Sequence, residues 1–73
     1  MTPLGLYLTK KSVNKALVSR RTGISQARLS QLCSNETTKL RADELYLIAL
    51  AIDIAPCEVM KEIFQNIKLD IEN

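Results

Sequence analysis

The stretch that decides the fold runs from Lys15 to Leu32 and reads K-A-L-V-S-R-R-T-G-I-S-Q-A-R-L-S-Q-L. Asn14 stands just before it as a good N-cap, and Gly23 interrupts it after two arginines, where a left-handed residue closes a helix. A helix over Lys15–Thr22 is the result. Ile24 then acts as an apolar plug, and Ser25 caps a second helix from Gln26 to about Ser34, with Leu29, Leu32 and Cys33 on its buried face. Ser19, four residues before the glycine, is small enough to let the two helices approach closely. Val18, Ile24, Leu29 and Leu32 have the spacing that glues such a pair together and to a core. The exposed remainder of the later helix is Gln26, Ala27, Arg28, Ser30 and Gln31, all short or hydrogen-bonding and none acidic.

Two helices crossing at a tight glycine turn form a helix-turn-helix, whose second helix reads base edges in the major groove of DNA. One residue is informative because it is the wrong one for helix stability. A serine N-cap is often joined by glutamate three positions on, yet position 28 is arginine. A cation there opposes the helix dipole. Against DNA the same cation is favourable, since arginine pairs bidentately with guanine.

Working outward, Thr2 caps and Pro3 opens a first helix running to about Lys11, with Leu4, Tyr7 and Leu8 available to turn inward. Asn35, the non-glycine residue that best tolerates positive φ, is the candidate stop after Ser34. Residues 35–41 read as a polar loop with Leu40 tucked into the core. A fourth helix spans about Ala42–Ile52, its acidic Asp43 and Glu44 suiting the first turn. Its stripe of Leu45, Ile48, Ala49 and Ile52 is widened by Tyr46, Leu47 and Leu50 to nearly the whole circumference, which predicts a central helix. Pro56 begins a fifth helix with Val59, Met60, Ile63, Phe64 and Ile67 on its apolar face. The expected architecture is all-α, a compact bundle of five short helices around a helix-turn-helix. It fills one domain over residues 1–68, followed by a tail over 69–73 that is a short strand, a helix extension or a frayed end.

A chain of 73 residues leaves room for one core and no second domain. The net charge of +2 conceals an asymmetry: residues 1–41 hold eight basic side chains and one acidic, residues 42–73 two basic and seven acidic. Such a split puts a nucleic-acid surface on the first half. There is no histidine, and Cys33 and Cys57 fit no short metal or redox spacing, so two reduced, partly buried thiols are expected, with no metal and no cofactor. No Gly-rich phosphate loop or nucleophile elbow is present. The longest apolar stretch, Leu45–Ile52, is far short of a membrane span. The expectation is a cytoplasmic protein that is not an enzyme and does not engage a membrane.

N-K-A-L-V-S-R-R-T followed by G-I-S-Q-A-R-L-S-Q-L resembles the phage lambda repressor and Cro-like (XRE) helix-turn-helix family of bacterial and phage regulators. L-R-A-D-E-L-Y-L-I-A-L-A-I-D-I looks like that family's fourth helix, and A-P-C-E-V like the start of its fifth, so the likeness covers about residues 4–64. It implies a nucleoid-associated DNA-binding regulator that usually binds palindromic operators as a dimer. Gln26, Ala27, Arg28 and Gln31 match its base-reading positions. Asn14 and Lys15 match the start of its phosphate-touching second helix, and Ser34, Asn35 and the loop through Lys39 its phosphate loop. Ser25, the cap between them, joins the phosphate set. Ser19, Cys33, Asn35, Arg41 and Asp53 depart from the family's usual alanine, glutamate, glycine, Ser or Thr cap, and glycine. Lys10, Lys11, Arg20 and Arg21 remain open between solvated helix ends and phosphate contacts.

The apolar excess on the last two helices has three readings. Leu47, Leu50, Met60, Ile63, Phe64 and Ile67, with Tyr46, fill the core, form a homodimer interface or meet a different protein partner. The alternative to a DNA-binding regulator is a protein-interaction module of the same fold, such as the antitoxin of a toxin–antitoxin pair.

Overall fold

A computed structural model describes residues 1–70, in which five short helices are joined by turns and loops. The elements are α1 (Pro3–Lys10), α2 (Lys15–Thr22), α3 (Gln26–Ser34), α4 (Ala42–Ala51) and α5 (Pro56–Ile63), with no strand among the described residues. The Thr2, Asn14 and Ser25 side chains cap α1, α2 and α3, and prolines open α1 and α5. Both α1 and α4 end in the same way. Ser12 (φ 57°) and Asp53 (φ 59°) adopt the left-handed conformation. The amide after each bonds back into the last turn, Val13 N–H to the Leu8 carbonyl at 3.0 Å and Ile54 N–H to the Ala49 carbonyl at 3.1 Å. Val13 and Ile54 then pack against the core. Asp53 behaves as its glycine-like position implies, whereas Ser12 carries no such signal in sequence. Asn35 departs from expectation: it is extended (φ −100°, ψ 110°), and its side chain rather than a left-handed backbone organises the turn after α3.

The core draws on every helix, centred on Leu8, Val18, Leu29, Ile48 and Val59, the largest fully buried side chains. α3 packs on α1 and α2, while α4 packs on α2 and α5, so the helix-turn-helix is backed on both sides. Leu40 and Ile24 pack against this core as expected. Two sequence expectations are corrected. Tyr46 and Leu50 are 55% and 50% exposed and Leu47 is also exposed, so α4 buries one side only; so small a domain has no further layer to cover the other. Cys57 is exposed, and only Cys33 is buried.

The N-terminus of α1 abuts the C-terminus of α3. The Thr2 hydroxyl donates to the Leu32 carbonyl (2.7 Å) and accepts from Gly5 N–H (3.1 Å), while Thr2 N–H donates to the Cys33 carbonyl (2.9 Å). Two carbonyls left unpaired by the end of one helix are thereby satisfied by the start of another. The approach is close enough that a Cβ at Gly5 would run into the Cys33 carbonyl oxygen.

Candidate nucleic-acid interface

The turn between α2 and α3 is locked by hydroxyls as well as by glycine. Gly23 sits at φ 80° and donates its N–H to the Ser19 carbonyl. The Ser19 hydroxyl donates to the Ile24 carbonyl (2.6 Å). Thr22 Oγ1 donates to the Val18 carbonyl (2.7 Å) and accepts from Ile24 N–H (3.1 Å). Ser19 is thus more than a small residue at a close crossing, since alanine there would leave the Ile24 carbonyl without its donor. Sequence reasoning missed Thr22, although a threonine just before a turn glycine is well placed to make such bonds.

Beyond this turn Gln26, Ala27, Ser30 and Gln31 are exposed along one face of α3, opposite buried Leu29, Leu32 and Cys33. The Gln26 and Gln31 side-chain amides make no intramolecular hydrogen bond among the described residues, leaving donors and acceptors available for an outside partner. Ser25 accepts from Arg28 N–H (3.1 Å), which leaves its hydroxyl proton free to donate. Asn14 Oδ1 accepts from Ala16 and Leu17 N–H, so only its amide protons remain. Lys15 is exposed beside it. Burial pushes the Cys33 thiol up from its ordinary value while the Lys15 charge opposes the shift.

In the loop after α3, Asn35 Oδ1 accepts from both Thr37 N–H (3.0 Å) and the Thr37 hydroxyl (2.7 Å). The Asn35 amide group keeps its protons for an outside acceptor. Ser34 gives its proton to the Ser30 carbonyl (2.6 Å), which takes that hydroxyl out of use as a phosphate donor. Lys39 keeps an exposed side chain.

Arg28 is where structure and sequence reading part. Read as a base contact, it is instead folded against α4: Nε donates to Glu44 Oε2 and Nη2 to Glu44 Oε1, both at 2.9 Å, and Nη2 also donates to the Lys39 carbonyl at 2.9 Å. Its side chain is 35% exposed and that of Glu44 10%. The paired guanidinium holds the Glu44 carboxyl below the ordinary carboxylate range, burial opposes this, and the Arg41 N–H, accepted by Oε1 at 3.0 Å, assists. Arg41 has no acceptor to cap α4 with; Asp43 Oδ1 takes the Glu44 N–H instead (2.9 Å), and Glu44 takes the Arg41 N–H. The glutamate missing from the third position of α3 is found at the third position of α4.

Other cations are also accounted for. Arg21 donates to the Ala51 carbonyl (2.8 Å), closing the end of α4, Arg41 pairs with Asp43 in an exposed bridge, and Lys11 lies 5.7 Å from the centre of the Tyr7 ring. Lys10, Lys15, Arg20 and Lys39 have no ion pair among the described residues. Of the candidate dimer residues, Ile63 is only 6% exposed and belongs to the domain's own core; Leu47, Leu50, Met60, Phe64 and Ile67 are exposed. Among the described residues no helix is long and apolar enough to cross a membrane, and no group of His, Cys, Asp or Glu is placed to hold a metal ion.

A capped helix pair locked at a left-handed glycine, with an exposed hydrogen-bonding face on its second helix and exposed Lys15 and Lys39 on the elements before and after it, is suited to the major groove of DNA and its bordering phosphates. The chain matches the model of the Cro/C1-type HTH DNA-binding domain over residues 4–65. No curated protein and no solved structure matches it. On its fold, its turn and the extent of this match, the chain belongs to the Cro/C1-type helix-turn-helix DNA-binding family.

Proposed function

We propose that the protein is a sequence-specific transcriptional regulator that lays α3 in the major groove of double-stranded DNA and binds a palindromic operator as a homodimer. The observation that carries this reading is the row of uncommitted polar side chains on α3, Gln26 and Gln31, beside small Ala27. Glutamine pairs bidentately with adenine, and an alanine methyl packs on thymine. Asn14, Lys15, Ser25, Asn35 and Lys39 would contact phosphates on either side and set register, with Ser34 contributing shape rather than a proton.

The dimer rests on the exposed apolar side chains of α4, α5 and the segment beyond. Phe64 and Ile67 line a groove of about 430 Å³ together with Leu4, Leu32 and Leu40, and Leu47, Leu50 and Met60 add exposed apolar surface. A two-fold dimer would space two copies of α3 one DNA turn apart, about 34 Å.

Selection of bound duplexes from a random pool tests the reading. An enriched inverted repeat with half-sites about 10 base pairs apart supports it. Failure to enrich any motif contradicts it and favours a protein-binding module of this fold, for which exposed Tyr46, Leu47 and Leu50 would be the surface.

A further inference from the structure

We infer that Arg28 and Glu44 are positioning residues for DNA binding, a clamp that fixes the start of α3 and the Lys39 backbone relative to α4. The inference rests on the DNA-binding reading and adds to it the device that sets the geometry of the contacting parts.

The pair joins three chain segments that touch DNA or border those that do. Arg28 is in the first turn of α3, between Ala27 and the rest of the base-facing row. Glu44 is in the first turn of α4 and accepts the Arg41 amide, so it ties down the end of the 35–41 loop. The Lys39 carbonyl takes a third bond from the same guanidinium. At its other end the loop is ordered by the Asn35–Thr37 bonds. Lys39 thus projects an unpaired ammonium from a backbone pinned on both sides. A planar guanidinium is the right group for this, because its fork meets both carboxylate oxygens at once and leaves a proton for the carbonyl. Lysine, as a point charge, has no such fork.

Charge alone and the clamp predict opposite signs for one substitution. Glu44→Gln removes a negative charge and leaves the Arg28 cation without its counter-charge, which by electrostatics alone tightens binding to any DNA. If the pair instead positions α3 and the loop, the same change weakens binding, because functional groups need a supporting shell to stay in register. Glutamine keeps an oxygen for the Arg41 amide, so the α4 cap survives.

The experiment measures affinity and its salt dependence on a 20-base-pair mixed-sequence duplex for wild type, Glu44→Gln, Arg28→Lys and each combined with Lys39→Ala. Thermal melts confirm that every protein is folded at the temperature used. The clamp predicts that Glu44→Gln and the charge-neutral Arg28→Lys both bind roughly threefold or more weakly. It further predicts that Lys39→Ala, which flattens the salt slope by about one in the wild-type background, has little left to remove in either variant. Should Glu44→Gln not fold, Arg28→Lys carries the same test without a change of net charge. Tighter binding by Glu44→Gln, unchanged binding by Arg28→Lys, or an undiminished Lys39 effect overturns the clamp. A wild-type protein that enriches no sequence from a random pool overturns the regulator reading, whereas the order of affinities on the mixed-sequence duplex judges the clamp alone.

Discussion

The two ends of α3 are held by different physics. At the C-terminal end, the Thr2 hydroxyl and amide meet the Leu32 and Cys33 carbonyls in a buried seam closed by Gly5. At the N-terminal end, a charged pair partly open to water joins Arg28 to Glu44. A buried seam without a charged group is insensitive to salt and pH but unforgiving of shape. The ion pair is screened by salt and depends on the protonation of one carboxylate. The end of α3 where the exposed polar row begins is therefore the one that responds to salt and pH, while the far end anchors the helix to the core.

Breaking the seam has the largest effect. Gly5→Ala places a methyl against the Cys33 carbonyl, where the obstacle is backbone and cannot swing away. Denaturant unfolding should show a loss of about 2 kcal/mol or more, as for overpacked cores. A gain of the kind that alanine gives in an open helix would refute the close approach. Thr2→Val, which leaves the Leu32 carbonyl and the Gly5 amide without the hydroxyl, is expected to cost about 1–2 kcal/mol in the same measurement.

The clamp end responds to pH. Because Arg28 lowers the folded-state pKa of Glu44, the stabilisation is fully present above the unfolded carboxylate value of about 4.3 and is lost as pH falls through the lower folded value. The groups around this carboxylate are Arg28, the Arg41 amide and charge, and neighbouring Asp43. Glu44→Gln should lower the melting temperature by a few degrees at neutral pH. The difference from wild type should shrink on acidification, and a constant difference down to about pH 2 would separate the pair from stability. The smallest effect on folding belongs to Lys39→Ala, a change within about 0.5 kcal/mol at an exposed site. Its signature is weaker binding to all DNA sequences alike; a change in sequence preference instead would make Lys39 a base reader.

Much of this could be read from the sequence because the signals are local. Asn14, Gly23 and Ser25 bound α2 and α3 within one turn of the residues they control, and period and capping place Leu29 and Leu32 inward. The Arg28–Glu44 pair joins residues 16 apart and depends on how α3 meets α4, which no local rule encodes. Its trace was nonetheless present: an arginine where a capping glutamate belongs, and a glutamate three residues after an arginine that cannot cap. Exposure of Tyr46, Leu47 and Leu50 escaped the periodicity argument because a helix apolar nearly all round does not reveal which side the domain will cover. Ser12 in a left-handed turn and Asn35 outside one show that residue preference at a helix end yields to its downstream neighbours, the packing of Val13 in the first case and the Thr37 turn in the second. The expected tail over residues 69–73 lies partly outside the described residues; Leu69 and Asp70 are in no regular element.

On the proposed reading, DNA is engaged by the free face of α3 together with the start of α2 and the loop after α3. Amide chemical-shift mapping on titration with a mixed-sequence duplex tests it most directly. The predicted result is shifts concentrated at residues 14–17, 25–31 and 35–40, with α1 and α5 quiet; shifts concentrated on α5 or on the Tyr46–Leu50 side of α4, with α3 unmoved, would contradict it.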